Sequence, residues 1–262
     1  MEPKTRVLQA CIDDDDGDES YFRVLINGVA IKYITIPPGI FSVDDMCFSP
    51  VLMTLLPPFP PGDWNDAYVS QDPQSGLPYY KTLTKRAWPA ITSTWHATTV
   101  DYLELDLGFK WKSAVYDTLL NASTDSIVKF ARFDWEIEAV DHETSVYQWI
   151  EGQAIGPAFQ GHVTEHGRVI GFLIEKVAHA RHAGPEDLGL CEGVLAKLHR
   201  LGIKHGDVNR YNFLIHEGRA TLIDFECARR CEDQDKLERE RQSLLEQLSE
   251  TSGRGGRILL AG

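Results

Sequence analysis

Between residues 205 and 224, four polar side chains stand at a spacing that could do chemistry. His205, Asp207 and Asn212 fall in the pattern H-x-D-x-x-x-x-N. Twelve residues beyond Asn212, the apolar run Leu222-Ile223 delivers Asp224 in the triplet Asp224-Phe225-Glu226. A lone His-x-Asp pair means little. An aspartate, an asparagine five residues on, then an apolar pair ahead of Asp-Phe is far more specific, because three oxygen-bearing side chains must converge on one place. The chemistry these types suit is phosphoryl transfer. One carboxylate orients an attacking hydroxyl, while an amide oxygen and a second carboxylate hold Mg²⁺ against the phosphates. Asp207 suits the first role. Asn212 and Asp224 suit the second, as metal ligands. His205 is expected to brace the backbone rather than act as a base. Arg210 and Tyr211, inside the same loop, are candidate substrate contacts.

Such a loop needs elements to hold it. Pro185 sits where a helix begins, a favoured place for proline. Leu188, Cys191, Leu195 and Leu198 give that helix an apolar stripe, and Gly202 stops it just before the loop. Upstream, YLELDLGF from Tyr102 and AVYDTLL from Ala114 read as successive strands. SIVKFARF, around Lys129, reads as a third. ETSVYQWIE reads as a helix, and AFQGHV and RVIGFLIEKV as two more strands about a turn at Thr164–Gly167. Nearer the N-terminus, residues 21–36 predict a hairpin turning at Asn27-Gly28. Residues 37–90, rich in Pro and Gly, predict an irregular, extended arm whose aromatics, such as Phe59 and Trp64, dock on something apolar, or equally an interaction surface. After the loop, Leu237, Leu244, Leu245 and Leu248 among dense charge predict an amphipathic helix docked on the body. The tail beyond it is expected to fray.

The chain has 262 residues, 43% of them hydrophobic, with a formal charge of −13. That supports a globular protein with a real core and argues against disorder. Residues 1–80 carry twelve acidic and four basic side chains, a field that repels polyanions and disfavours non-specific nucleic-acid binding. Five cysteines without C-x-x-C spacing point to reduced thiols rather than zinc. His179 and His182 lack acidic or Cys partners at ligand spacing, so a solvated loop is expected there. The run Asp13–Asp16 lacks the spaced ligands of a calcium loop. No apolar run reaches the roughly 18 residues of a membrane span, and no secretory signal precedes the body, so a cytoplasmic location with no membrane partner is expected.

From its loop outward the chain resembles the protein-kinase-like superfamily, in its atypical and small-molecule branch. Aminoglycoside and choline phosphotransferases write the loop HGD, as His205-Gly206-Asp207 does here. The resemblance runs in order over roughly residues 100–230. It implies an α+β, bilobal protein-kinase-like fold: an N-terminal extension over 1–98 with the hairpin and Pro-rich arm, a β-rich N-lobe and hinge over 99–177, and a reduced helical C-lobe over 178–262. It also implies ATP and Mg²⁺ as cofactors. Lys129 matches the strand lysine that contacts the α and β phosphates, and Glu143 its ion-pair partner, with Glu138 and Glu136 as weaker candidates. Phe172 to Val177 matches the hinge, with Glu175 and Val177 offering backbone groups to adenine. The phosphate-covering loop departs from the glycine-rich pattern. It has only Gly108, so Lys110, Lys112 and Ser113 are candidate anion contacts. The metal triplet ends in Glu226 rather than Gly. Only 38 residues follow Asp224, with no Ala-Pro-Glu segment, so a platform for protein substrates is not expected.

Three functions follow. The first is phosphate transfer from ATP–Mg²⁺ to a small hydroxylated or amine acceptor. A second rests on similarity of the whole chain to a fungal group of kinase-like proteins, some of whose biosynthetic relatives make arginine-containing cyclodipeptides from aminoacyl-tRNA. There ATP would be absent, and Asp207, Asp224 and Glu226 would receive a cationic arginyl group. tRNA would need a local basic cluster, with Lys81, Lys85, Arg86, Lys110 and Lys112 as candidates. The third is a non-catalytic binding module that kept the fold.

Overall fold

The computed structural model describes residues 4–13, 17–121, 123–250 and 252. Asp14–Asp16 of the acidic run and the tail from residue 253 lie outside the described residues. The chain forms two compact units, 1–89 and 90–262.

The first unit is built on a sheet in the order β1-β2-β3-β4-β5. β2 (Ser20–Ile26) and β3 (Ala30–Ile36) are the expected hairpin. Asn27 and Gly28 both take positive φ (54° and 74°), as a type I′ turn demands. β1 (Thr5–Cys11), which sequence reading did not foresee, pairs antiparallel with β2. Its residues are only half-buried, which blurs the period-2 pattern. The Pro-rich segment is more regular than expected. It holds two short helices, α1 (Val43–Cys47) and α2 (Ser49–Leu55), and two strands, β4 (Asp66–Gln71) and β5 (Pro78–Thr84). The prolines bound these elements rather than interrupt them: Pro50 enters α2 at its first turn and Pro78 opens an edge strand. Trp64 is buried with Phe22, Val24, Ile34 and Leu52, and Phe59 packs against the same core.

The second unit opens with a segment, 90–98, that bonds within this unit. The Ile91 N–H donates to the Val169 carbonyl at 2.9 Å, and Trp95 Nε1 donates to the Thr144 carbonyl at 3.1 Å. β6 (Thr99–Asp101) follows, and then the segment YLELDLGF, which is a 3₁₀ turn and extended coil rather than a strand. Asp101 caps that turn by accepting from the Leu103 N–H, which competes with sheet pairing. β7 (Lys110–Lys112), β8 (Val115–Leu120), β9 (Thr124–Phe130), helix α3 (Ile137–Trp149), β10 (Phe159–Glu165) and β11 (Arg168–Glu175) complete the strand-rich half, with the sheet in the order β6-β10-β11-β9-β8-β7.

The remaining half is smaller: β12 (Arg181–His182), helix α4 (Leu188–Arg200), β13 (Ile203–Lys204), β14 (Phe213–His216), β15 (Arg219–Leu222), β16 (Arg229–Arg230) and helix α5 (Gln234–Ser249). The His179–His182 segment is therefore no plain solvated loop. His182 pairs with Leu214, and Arg181 forms a two-pronged ion pair with Asp187 at 2.6 and 2.8 Å. α4 buries Cys191, Val194, Leu195 and Leu198, and α5 buries Leu237, Leu244 and Leu248. Leu245, expected on the docked face of α5, is 52% exposed, because at one residue beyond Leu244 it turns about 100° away from the stripe. Gly202, at φ +66°, ends α4 by donating to the His199 carbonyl. Among the described residues no helix is long and apolar enough to cross a membrane.

Candidate active site

Lys129 sits on β9, paired on both sides, to Val115 of β8 and Phe172 of β11. Strand alternation turns it away from the buried Val128 and Phe130. It meets three carboxylates: Glu143 at 2.5 Å, Glu226 at 2.5 Å and Asp224 at 3.1 Å. Glu143 lies on the buried face of α3 with Val140, Thr144 and Tyr147, and its second oxygen accepts the Phe225 N–H at 3.1 Å. One buried carboxylate thus ties the strand lysine to the backbone beside Asp224. Glu136, a weaker candidate for that ion pair, binds Arg132 instead. Burial works against the ammonium of Lys129, yet the three carboxylates outweigh it and hold its pKa well above the ordinary lysine value.

Lys112 arrives from the β7–β8 hairpin. Its ammonium lies 2.6 Å from Asp224. The hairpin turns through Ser113 and Ala114, and Ala114 takes φ +61° without a glycine. Lys110 lies near the Tyr116 ring. Asp224 therefore faces two ammonium groups. Burial alone would raise its pKa, but Lys129 and Lys112 bring it far below the usual carboxylate value. Its backbone is left-handed, at φ +64°, a region Asp visits more readily than most residues.

The spacing between Asn212 and Asp224 has a geometric cause. β14 and β15 are four-residue strands joined by a two-residue turn, Glu217-Gly218, with both φ positive. Phe213 pairs with Leu222, so Asn212 and Ile223 fall side by side. The Ile223 N–H donates to the Asn212 carbonyl at 3.0 Å, and the Ile223 carbonyl meets His205 Nε2 at 3.2 Å. The hairpin's length thereby sets the spacing read from the sequence.

Asp207 is held differently. Asn209 Nδ2 and Asn212 Nδ2 both donate to its Oδ2, at 3.0 and 3.1 Å. Its Oδ1 has no protein partner among the described residues. With its amide nitrogen turned to Asp207, Asn212 directs its Oδ1 elsewhere, as a hard cation would require. Gly206 takes φ +85°, and a Cβ there would lie 2.6 Å from the Cys227 carbonyl. Only glycine fits the middle of HGD. His205 is fully buried, which lowers its pKa, so it is held neutral. Its Nδ1 accepts the Asp207 N–H at 3.3 Å. Phe225 packs between His205 and Tyr147, with ring centroids 5.4 and 5.3 Å away.

Sequence reasoning missed two residues. Asn209 carried a signal, being an Asx-type residue opening a turn, where it caps the Tyr211 N–H. Glu240 carried none: it is one acid among many on α5. It is nevertheless buried, and it accepts from His205, Gly206 and His199.

The other predicted residues stand at the rim. Arg210 lies over the Tyr211 ring and forms no ion pair among the described residues, and Tyr211 packs edge-on against His182. Glu175 ends β11, with its N–H already committed to the Ala158 carbonyl, and Val177 follows. Between them, Lys176 is anchored to Asp117 of β8 at 2.7 Å. The five basic residues considered for tRNA divide between the two units. Lys81, Lys85 and Arg86 lie in the first unit, where Lys85 pairs with Asp63 and Arg86 lies over Trp88; Lys110 and Lys112 lie in the second.

The sequence model of the lipopolysaccharide kinase (Kdo/WaaP) family matches residues 188–255. That segment holds α4, the HGD loop, the β14–β15 hairpin, Asp224 and α5. The match and the mixed α+β architecture fit a kinase-like fold. A search of curated proteins found no match. The match covers Asp207, Asn212 and Asp224, and Lys129, Glu143 and Lys112 lie outside it.

Proposed function

We propose that this kinase-like protein transfers a phosphoryl group from ATP–Mg²⁺ to a small hydroxylated or amine acceptor. One observation carries the reading: Lys129, paired with Glu143, reaches Asp224, while Asn212 of the same site holds Asp207 with an oxygen to spare. The residue types fit the cofactor. Asn212 and Asp224, with Glu226 beside them, would hold Mg²⁺, and Glu143, Asp224 and Glu226 are close enough to share an ion. The metal would neutralise charge on the phosphates. Lys129 and Lys112 would exchange contacts with Asp224 for phosphate oxygens. The strand end at Glu175 and Val177 would take the adenine edge. Asp207 would accept a hydrogen bond from the acceptor hydroxyl and align its oxygen on the γ-phosphorus.

The test is a thermal-shift titration with ATP and Mg²⁺, followed by ATP turnover. A nucleotide-dependent rise in Tm that Lys129→Met removes is expected. No shift at millimolar ATP would sink the reading. Comparing metabolites between wild type and Asp207→Ala in one host would then name the acceptor.

Glu226 favours a second reading, aminoacyl-tRNA-dependent assembly of an arginine-containing cyclodipeptide. It puts a half-exposed carboxylate beside Asp224 where the kinase triplet has glycine, and so could receive a cation. Mass-spectrometric detection of an arginine diketopiperazine in the expressing host, without a nucleotide-induced shift, would decide for it.

A further inference from the structure

Residues 91–98, just ahead of β6, bond to three elements in turn. The Ile91 N–H donates to the Val169 carbonyl of β11 at 2.9 Å. Thr92 Oγ1 and the Ser93 N–H then donate to the two oxygens of Asp141 on α3, at 2.7 and 2.9 Å. The hydroxyls of Ser93 and Ser145 lie 2.6 Å apart, and Trp95 Nε1 donates to the Thr144 carbonyl at 3.1 Å. Finally the His96 N–H donates to Nε2 of His162, a fully buried residue of β10, at 3.1 Å, and the His162 N–H donates to the Thr98 carbonyl at 2.9 Å. The segment is a strap that leaves the sheet, crosses α3 and returns to the sheet.

The strap grips a particular side of the helix. Asp141 and Ser145 are about one turn apart and share a face, whereas Glu143, two residues from Asp141, points about 200° round the axis. On that other side Glu143 meets Lys129 and accepts the Phe225 N–H. Burial would raise the pKa of Asp141, and the donors from Ser93 and Thr92 bring it below the usual carboxylate value, so the strap is bound to an anion. A helix held on opposite sides can neither roll nor slide without breaking one set of contacts. The strap and α3 both lie outside the family match at 188–255.

We propose that Asp141 is a positioning residue: through it, the strap 91–98 sets the roll of α3 and so the approach of Glu143 to Lys129. The kinetic consequence rests on the phosphotransferase reading, and the geometric one does not. Asp141 acts only through Glu143, and misplacement of a reacting constellation by about 1 Å is enough for a loss on the order of 100-fold.

The experiment compares full-length wild type, Asp141→Ala, Asp141→Asn and Thr92→Glu. Thr92 is exposed, so Thr92→Glu sets a carboxylate against Asp141 without removing a buried atom. The first measurement is acetylation of Lys129 by N-hydroxysuccinimide acetate, read by peptide mass spectrometry against Lys85 as internal reference. Acetylation of Lys129 is expected to be about 3- to 10-fold faster in Asp141→Ala and Thr92→Glu, since one pKa unit lost with Glu143 gives tenfold more free amine. Asp141→Asn should fall between, because its amide oxygen still accepts the Ser93 N–H. Unchanged labelling of Lys129 overturns the proposal whether or not ATP is used. The second measurement is steady-state turnover of Mg·ATP, where kcat should fall about 10- to 100-fold in Asp141→Ala, with the larger part of the loss in kcat rather than KM, and recover in part in Asp141→Asn. A lowered Tm with kcat per folded molecule unchanged would mean a structural role alone and also overturns it. If wild type shows neither a nucleotide shift nor turnover, the phosphotransferase reading falls by itself, and Lys129 labelling still decides whether the strap sets Glu143.

Discussion

The two sides of the site are held by opposite means. Around Lys129, charge holds charge: two ammonium groups face Glu143, Asp224 and Glu226 at 2.5–3.1 Å. Around Asp207, two neutral amides hold the carboxylate and a neutral imidazole accepts the backbone N–H, while Glu240 accepts the N–H groups of His205 and Gly206. The first arrangement can exchange partners, since an ammonium released from Asp224 can meet a phosphate with little loss. The second cannot rearrange without breaking directional hydrogen bonds. Under the proposed function, a site that admits and releases a polyanion while keeping Asp207 still has reason to use both.

That contrast can be broken. The largest effect is expected at Asp207, where Asp207→Asn should lower kcat by about 10³-fold while leaving the nucleotide-induced Tm shift intact. Turnover and thermal shift on one preparation check it, and loss of the shift would mean that the two sides are not separable. Next is Lys129→Met, which strands buried carboxylates and should cost about 3–5 kcal/mol of stability, read by denaturant unfolding. Gly206→Ala follows, at about 1–3 kcal/mol from its left-handed backbone alone, with more from the Cys227 contact. Smallest in stability is Lys112→Ala. Its side chain is 54% exposed, so under about 1 kcal/mol is expected, with its effect appearing instead as weaker Mg·ATP binding.

Acid should sharpen the comparison, because the two sides titrate apart. His205 is held neutral with a lowered pKa, so its contribution is present above its unfolded value of about 6.5 and is lost as pH falls below it. Asp224 also has a lowered pKa, but from an unfolded value of about 3.9, so its contribution persists until pH drops below about 4. Lys129, raised, keeps its contribution until pH climbs past about 10.5. His162 and His182 shift in the same direction as His205. The informative quantity is therefore the difference between wild type and His205→Asn. Stability against pH should differ in slope as pH falls below about 6.5 and run parallel above it.

Much of this was readable from residue types and spacing. Asn27-Gly28 specifies its hairpin because few residues tolerate two consecutive positive φ angles. HGD with Asn five residues on, then Asp-Phe, specifies a site because so few folds converge those groups. Gly202 specifies a helix end. These are local effects, decided within a few residues by sterics and short hydrogen bonds. Tertiary structure decided the rest. YLELDLGF alternates like a strand, but Asp101 captures its backbone and the sheet passes it by. β4 and β5 pair only because β3 offers an edge and Trp64 fills the core beneath. Lys112 finds Asp224 across 112 residues, and Glu240, indistinguishable in sequence from its acidic neighbours, becomes the acceptor for the HGD loop. Burial and long-range charge depend on which elements meet, and no window of sequence contains both partners.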